Sequence, residues 1–167
     1  MKTVFINCSP KKKFSASDYF LSVQKFFVKG EKVKEVLKNK KDYERILKVL
    51  NDGDNVVFCL PLYIDCLPSH VISFLKEMEG FCLERKIKLQ IYAIANNGYI
   101  EGVQSKALLQ IFRNFCMRSG LTWGDWTAKR RIFVRRKNCA HPQRKSGYSF
   151  PPLHVLRDIW RWKWLLC

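Results

Sequence analysis

The sequence predicts an α/β fold in which helices cover both faces of a parallel sheet. Short apolar runs typical of buried strands begin at Lys2, Asn55 and Leu89, and segments with helical spacing of apolar residues separate them. Because strands and helices alternate strictly, the strands are expected to run parallel. The 167 residues, 47% of them hydrophobic, suit one domain with its own core.

The first half of the chain is expected to supply two strands and two helices. In order, they are a buried strand over residues 2–7, a helix ending at Gly30, an edge strand over 32–37 and a helix over 42–50, followed by a turn over 51–54. Ser15 or Ser17 is the expected cap of the first helix. The apolar face of that helix is expected to carry Tyr19, Phe20, Val23, Phe26 and Phe27.

The second half repeats the alternation. The expected elements are a strand over residues 55–60 ended by Pro61, a helix from Pro68 to about Gly80, a strand over 89–95, and a helix over 103–118 ended by Gly120. Both strands are mainly apolar, which is typical of strands buried on both faces.

Three segments follow the carboxyl ends of the predicted inner strands, where ligands bind in such sheets. Residues 9–17 offer hydroxyls, lysine charge and backbone N–H groups at a helix start, which suit a phosphate. Residues 61–67 offer an aromatic ring and backbone amides, and residues 96–101 offer side-chain amides and another ring. The glycine-rich fingerprints of dinucleotide and nucleoside-triphosphate sites are absent. The pattern therefore favours a flat, polar-edged ligand that carries a phosphate.

The same segments carry a family resemblance. They read Asn7-Cys-Ser-Pro-Lys11 with Ser15-Ala-Ser17, then Pro61-Leu-Tyr-Ile-Asp-Cys-Leu-Pro68, then Asn96-Asn-Gly-Tyr-Ile-Glu101. In this order and at strand ends, the chain resembles the flavodoxin-like NAD(P)H-dependent FMN reductases from residue 2 to about residue 124.

The resemblance implies a cofactor site for FMN, with NADH or NADPH as co-substrate. The phosphate would be held by Ser9, Lys11, Ser15 and Ser17. One edge of the isoalloxazine would lie against Pro61, Leu62, Tyr63 and Ile64, and the other against Asn96, Asn97, Gly98 and Tyr99. Hydride would pass from the nicotinamide to the flavin and on to a small-molecule acceptor, so neither a catalytic side chain nor a metal is expected. Such enzymes are commonly homodimers.

Simpler interpretations of these residues remain open. The serines are also typical of helix caps and strand ends, Lys11 belongs to a charge run of the kind that is usually solvated, and Tyr63 and Tyr99 could pack on their own loops. His70, one turn into a helix, is interpreted as a cap-region or surface histidine. The seven scattered cysteines predict reduced thiols without metal-ligand spacing.

The resemblance stops before the C-terminus. Residues 127–167 hold eleven Lys/Arg against a single acidic residue, Asp158, within a chain of net charge +17. We expect residues 1–126 to form the FMN-binding domain, and this basic, Trp-rich tail to lie outside its core. The family's last strand and helix would then be altered or missing. One hypothesis is a shift of reading frame near Gly124; the other is a genuine evolved tail.

Three function classes follow. The first is an FMN-dependent NAD(P)H oxidoreductase, and the second is a flavin-binding remnant with impaired catalysis. The third is a basic protein that binds nucleic acid through the tail by phosphate attraction and base stacking, a role we do not expect because no nucleic-acid module is recognised. A tail resting on an anionic membrane surface is a further alternative. No apolar run reaches the roughly 18 residues of a membrane span, and no secretory signal is recognised, so a cytoplasmic location is expected.

Overall fold

A computed structural model describes residues 1–11, 15–97 and 102–124. Five strands form one parallel sheet: β1 (Lys2–Asn7), β2 (Glu31–Val36), β3 (Asn55–Pro61), β4 (Gln90–Asn96) and β5 (Thr122–Trp123). Their order in the sheet is β2-β1-β3-β4-β5. This is the order of flavodoxin-like doubly wound folds, and the direction of winding reverses between β1 and β3. The predicted fold class is confirmed.

Four α-helices connect the strands. They are α1 (Ala16–Phe27), α2 (Tyr43–Asn51), α3 (Ser69–Arg85) and α4 (Lys106–Arg118), with short 3-10 turns at Lys40–Asp42 and Gly102–Ser105. Helix α1 packs on one face of the sheet, and the other three pack on the opposite face. Helices on both faces account for the continuous apolar sequence of β3, which is buried from Asn55 to Leu60.

The larger core lies between the sheet and helices α2, α3 and α4. Its centre is aromatic: the Phe58 ring lies 5.1 Å from the Phe112 ring and 6.4 Å from the Phe74 ring, measured between centroids. The smaller core, on the α1 face, consists of Phe5, Leu21, Val57 and Cys59. These cores fix the strands whose carboxyl ends carry the candidate site.

The expected end of the third helix is wrong. Helix α3 continues through Gly80 to Arg85. Gly80 has no left-handed φ, so it continues the helix instead of capping it, and glycine lowers helix propensity without preventing a helix. The helix ends instead at Lys86, whose φ of 53° is left-handed. Pro68 occupies the N-cap position of α3 rather than its first turn.

The expected apolar face of α1 is also partly wrong. Phe26 is 83% exposed and Phe27 is 44% exposed, whereas Ser17 and Leu21 are the buried residues of this helix. The stripe that faces the sheet runs from Ser17 and Leu21 to Val28, which packs on the α1-face core, whereas Phe26 and Phe27 lie on other sides of the helix.

The chain enters a fifth strand before the described part ends. Thr122 and Trp123 pair with Gln90 and Ile91 of β4. The predicted changes to the family's last strand and helix, and the tail over residues 127–167, lie outside the described residues. Among the residues that are described, no helix is both long and apolar enough to cross a membrane.

Candidate functional site

Three predicted segments meet at the carboxyl edge of the sheet. Strands β1, β3 and β4 are adjacent and parallel, so their ends lie side by side. The Cys8 N–H donates to the Cys59 carbonyl at 2.9 Å, and the Leu62 N–H donates to the Asn96 carbonyl at 2.9 Å. The first segment therefore adjoins the second, and the second adjoins the third, at the point where the strand order reverses.

The loop after β1 is held by side chains. Asn7 Oδ1 accepts a hydrogen bond from the Ser9 N–H at 3.0 Å, and Ser9 Oγ accepts one from the Lys11 N–H at 3.4 Å. The backbone N–H of Ser9 is thus already used within the protein. The hydroxyl of Ser9 keeps its own proton for donation, because a serine hydroxyl has one donor and two acceptor positions.

Ser15 is the N-cap of α1; the sequence predicted that either Ser15 or Ser17 caps this helix. Its Oγ accepts from the Asp18 N–H at 3.0 Å and from Asn7 Nδ2 at 3.3 Å. Both acceptor positions of the Ser15 hydroxyl are therefore filled, and its proton remains able to donate. The cap orients Ser15 at the positive end of the helix dipole.

Ser17 lies in the first turn of α1 and is 1% exposed. Its Oγ makes no hydrogen bond of good geometry to any described residue. The Cys59 thiol is nevertheless close: burial raises the pKa of Cys59 to about 12, and the Ser17 hydroxyl partly opposes that rise. A protonated thiol is a weak hydrogen-bond partner, so the Ser17 hydroxyl keeps the capacity to donate to a ligand.

These donors fit a phosphate group. The first N–H groups of a helix lack partners within the helix, and here Ser15 is the N-cap and Ser17 lies in the first turn. Ser9 lies beside them, because Asn7 bonds to both Ser9 and Ser15. The acidic Asp18 in this turn is neutralised, because Lys34 Nζ lies 2.6 Å from its Oδ1 atom. Lys11 is exposed at the end of the described part of the loop and adds positive charge.

The second segment forms a tight turn at the tip of β3. Tyr63 and Cys66 exchange two backbone hydrogen bonds of 3.1 and 2.9 Å, and the two residues between them have positive φ, 46° at Ile64 and 58° at Asp65. Such turns usually carry Asn and Gly, and a β-branched residue with left-handed φ is strained. Ile64 is also 98% exposed, so the described residues offer no packing contact that offsets that strain.

Pro61 and Leu62, the other predicted residues of this segment, are half-buried at the end of β3. Tyr63 is 45% exposed. The segment therefore presents one aromatic and one aliphatic side chain to solvent beside the loop that follows β1. Backbone strain of this kind concentrates at functional sites, which makes the turn a candidate ligand contact.

The third segment is only partly described. Asn96 is half-buried at the end of β4, whereas Asn97 is buried and its Nδ2 donates to Ser105 Oγ at 2.8 Å. This bond joins the end of β4 to the turn before α4, so Asn97 holds the segment together through that group. Gly98 and Tyr99 lie outside the described residues.

Two residues of the site were not among the predicted ligands. Asn7 braces the first loop by three hydrogen bonds, to Ser9, Ser15 and Asp18. His70 Nε2 lies 3.1 Å from the carbonyl oxygen of Cys8. Asn7 stands within the motif that carries the resemblance. His70 is 62 positions from Cys8, and no local pattern connects them.

The thiols near the site are poor nucleophiles. Burial, and to a smaller extent the nearby Cys59, raises the pKa of Cys8 well above its ordinary value. The pKa of Cys59 is shifted in the same direction, so both thiols remain protonated at neutral pH. In the described ranges, no group of three His, Cys, Asp or Glu residues is placed to hold a metal ion. The groups at the site that could contact a ligand are hydroxyls, backbone amides and an aromatic ring.

Comparison with known proteins gives structural likeness without sequence likeness. No family model matches the chain, and no curated protein matches it in sequence. Solved structures do match it. The Trp repressor binding protein from Bacillus subtilis is 15% identical with a TM-score of 0.61, covering 72% of this chain and 82% of that protein. The flavodoxin, WrbA-like protein from Agrobacterium tumefaciens is 13% identical with a TM-score of 0.58, covering 74% and 76%.

An NADH:FMN oxidoreductase in its apo form is 15% identical with a TM-score of 0.54, covering 73% of this chain and 71% of that protein. At such identities the likeness establishes the fold. The protein is therefore a flavodoxin-like α/β protein whose structural neighbours include oxidoreductases.

Proposed function

We propose that the protein is an FMN-dependent oxidoreductase that takes hydride from NADH or NADPH and reduces a small-molecule acceptor. The observation that carries the proposal is the cluster of serines at the helix start: Asn7 holds Ser9 and Ser15 together, and Ser17 in the same turn has, in the described part of the chain, no hydrogen bond beyond its contact with the Cys59 thiol. The hydroxyls of Ser9 and Ser15 accept hydrogen bonds through their oxygens, so each keeps a proton that it can donate to a ligand. The fold of the neighbouring oxidoreductases supports the same function.

Different residues would contact the phosphate and the ring of FMN. The phosphate would accept from Ser9, Ser15 and Ser17 and from the amides at the start of α1, with Lys11 adding charge. The ring would lie against Pro61, Leu62, Tyr63 and Ile64 on one side and against the segment that begins at Asn96 and Asn97 on the other. Gly98 and Tyr99 belong to this proposal as continuations of that segment.

When bound, FMN supplies the hydride and electron chemistry that no side chain here provides. The chain's own residues bind and orient. The N–H groups of Tyr63 and Cys66 bond to each other's carbonyls, so the N–H groups of Ile64 and Asp65 would be the ones to stabilise negative charge on the ring. Exposed Tyr63 and Ile64 leave the turn accessible to a second planar molecule, which is what a nicotinamide and a small acceptor require.

The test uses the full chain loaded with FMN and freed of excess cofactor. Under anaerobic conditions, addition of NADH or NADPH should bleach the visible absorbance of the oxidised flavin. A quinone added afterwards should restore it. Bound flavin that neither nucleotide reduces would instead identify a flavin-binding remnant.

Ser17→Ala tests the residue on which the proposal rests. It should weaken FMN binding at least about fivefold, since a donor to a charged group is lost. Ser22→Ala is the matched control in the same helix: Ser22 is exposed and bonds only to the carbonyl of Asp18 among described residues. Equal FMN affinity in both variants would contradict the assignment of Ser17.

A further inference from the structure

One peptide unit in the loop after β1 is held at both of its polar ends. The carbonyl of Cys8 accepts from His70 Nε2 at 3.1 Å, and the N–H of Ser9, in the same peptide, donates to Asn7 Oδ1 at 3.0 Å. The carbonyl and N–H of a planar trans peptide point in opposite directions. The two side chains therefore oppose rotation of this peptide from opposite sides.

From this geometry we infer that His70 is a positioning residue for phosphate binding, acting through the Cys8–Ser9 peptide. The inference rests on the proposed function and deepens it. Because its partner is a carbonyl oxygen, His70 must carry a proton on Nε2 and donate it. Its role is to keep the Cys8 carbonyl directed at α3, and hence away from the anion expected among the serines.

The position of His70 is itself fixed. Its backbone carbonyl accepts from the Tyr43 hydroxyl at 3.1 Å, so α2 holds the first turn of α3. Tyr43 is buried and packs edge-to-face on Phe74, with 5.2 Å between ring centroids. A chain of contacts thus runs from the larger core through Tyr43 and His70 to the peptide that precedes Ser9.

Loss of the His70 donor has a specific consequence. Cys8 is fully buried, so its carbonyl would have to find another donor, and rotation of the peptide is the simplest local route. Rotation would turn a carbonyl dipole toward the phosphate and would break the bond from Ser9 to Asn7. Ligands that carry a phosphate should therefore lose affinity, whereas ligands without one should not.

The experiment compares FMN with riboflavin, which has the same ring without the phosphate, on the full chain. His70→Leu should raise the Kd for FMN at least about fivefold, the loss expected when a buried acceptor loses its donor, and change that for riboflavin less than about twofold. His70→Gln, whose amide can donate from a position near that of Nε2, should restore most of the FMN affinity. Lys76→Ala, an exposed position in α3, serves as the control.

Four outcomes would overturn the inference. The first is an unchanged FMN Kd in His70→Leu, and the second is an equal loss of affinity for FMN and riboflavin in that variant. The third is no recovery of FMN affinity in His70→Gln. The fourth is wild-type protein that binds neither flavin, which also overturns the proposed function. The first three outcomes overturn the inference and leave the proposed function standing. If His70→Leu does not fold, His70→Asn replaces it, because its shorter amide does not reach the Cys8 carbonyl and should lower FMN affinity likewise.

Discussion

The Nδ2 atom of Asn7 lies 3.1 Å from the Oδ1 atom of Asp18, which ties the last residue of β1 to the first turn of α1. The same carboxylate receives Lys34 from the neighbouring strand β2 at 2.6 Å. A single acidic side chain thus joins two strands and a helix at the candidate phosphate site.

Replacement of Asn7 by Asp should test this junction. Asn7→Asp removes the Nδ2 donor and places a second carboxylate beside Asp18, so the free energy of unfolding should fall by about 2 kcal/mol at pH 7. Urea denaturation measures this loss. Repulsion favours protonation of the introduced carboxyl, so the difference from wild type should shrink as the pH falls toward about 4.

Asn7→Ala is the control for charge. It loses the same donor without adding a carboxylate, so its destabilisation should vary much less with pH than that of Asn7→Asp. If both variants show the same pH dependence, the contact between Asn7 and Asp18 is not significant for stability.

Ser15 is expected to stabilise α1 as well as to contact a ligand. Ser15→Ala removes an N-cap and should lower the free energy of unfolding by about 1 kcal/mol even without flavin. Ser22→Ala, in the exposed middle of the same helix, should be neutral or slightly stabilising. Thermal unfolding followed by far-UV circular dichroism measures both, and a neutral Ser15→Ala would contradict the cap.

Relief of strain in the turn should stabilise the apo protein and weaken FMN binding. Ile64→Gly relieves a left-handed conformation at a residue that is 98% exposed, so it should stabilise the apo protein by about 1 kcal/mol. It also removes a surface proposed to contact the ring, so FMN affinity should fall severalfold. The measurements are urea unfolding and flavin titration on the same samples.

Lys86→Gly is the matched control for Ile64→Gly. Among the described non-glycine residues, Lys86 is the one exposed residue outside this turn that has positive φ, and it lies at the far end of α3. Its replacement should stabilise the protein similarly and leave FMN affinity unchanged. Loss of affinity in both variants would show that loop rigidity, rather than contact with Ile64, is involved.

The buried thiols predict sensitivity to alkaline pH. Burial raises the pKa of Cys59 and of Cys116 to about 12 and that of Cys82 to about 11, whereas a thiol in the unfolded chain ionises near about pH 8.5. The unfolded state therefore releases protons first as pH rises. Stability should be unaffected by these thiols below about pH 8.5 and should decrease progressively between there and the folded-state values.

Cys116→Ala measures how much the Cys116 thiol contributes to the loss of stability at alkaline pH. Between about pH 9 and pH 10, the variant should lose roughly 1 kcal/mol less per pH unit than wild type, although it is less stable overall. The control is Cys66→Ala, because Cys66 is exposed. Identical slopes in Cys116→Ala and wild type would contradict the raised pKa.

Local sequence patterns were sufficient to predict most of the fold. Continuous apolar runs located β3 and β4 to within a residue or so, and alternation with helices predicted a parallel sheet, because these signals depend on neighbours in sequence. Gly80 misled because glycine lowers helix propensity without forbidding a helix that packing supports. Phe26 misled because helical spacing alone did not identify the stripe that faces the sheet, which runs through Ser17, Leu21 and Val28.

The candidate site was harder to predict at the level of contacts. The motif placed Ser9 and Ser15 at the carboxyl edge of the sheet. It did not distinguish Ser15, which caps the helix, from Ser17, whose hydroxyl is buried beside the Cys59 thiol. Asn97 was expected to contact a ligand, while the structure gives its Nδ2 to Ser105. The bond from His70 to Cys8 joins elements that only the tertiary fold brings together.

The most direct measurement of the central claim is a titration of the purified full chain with FMN, followed by quenching of flavin fluorescence. The account predicts saturable binding of one FMN per chain, with riboflavin binding more weakly because the serines around the start of α1 then lack their phosphate. Absence of saturable binding, or equal affinity for the two flavins, would contradict it.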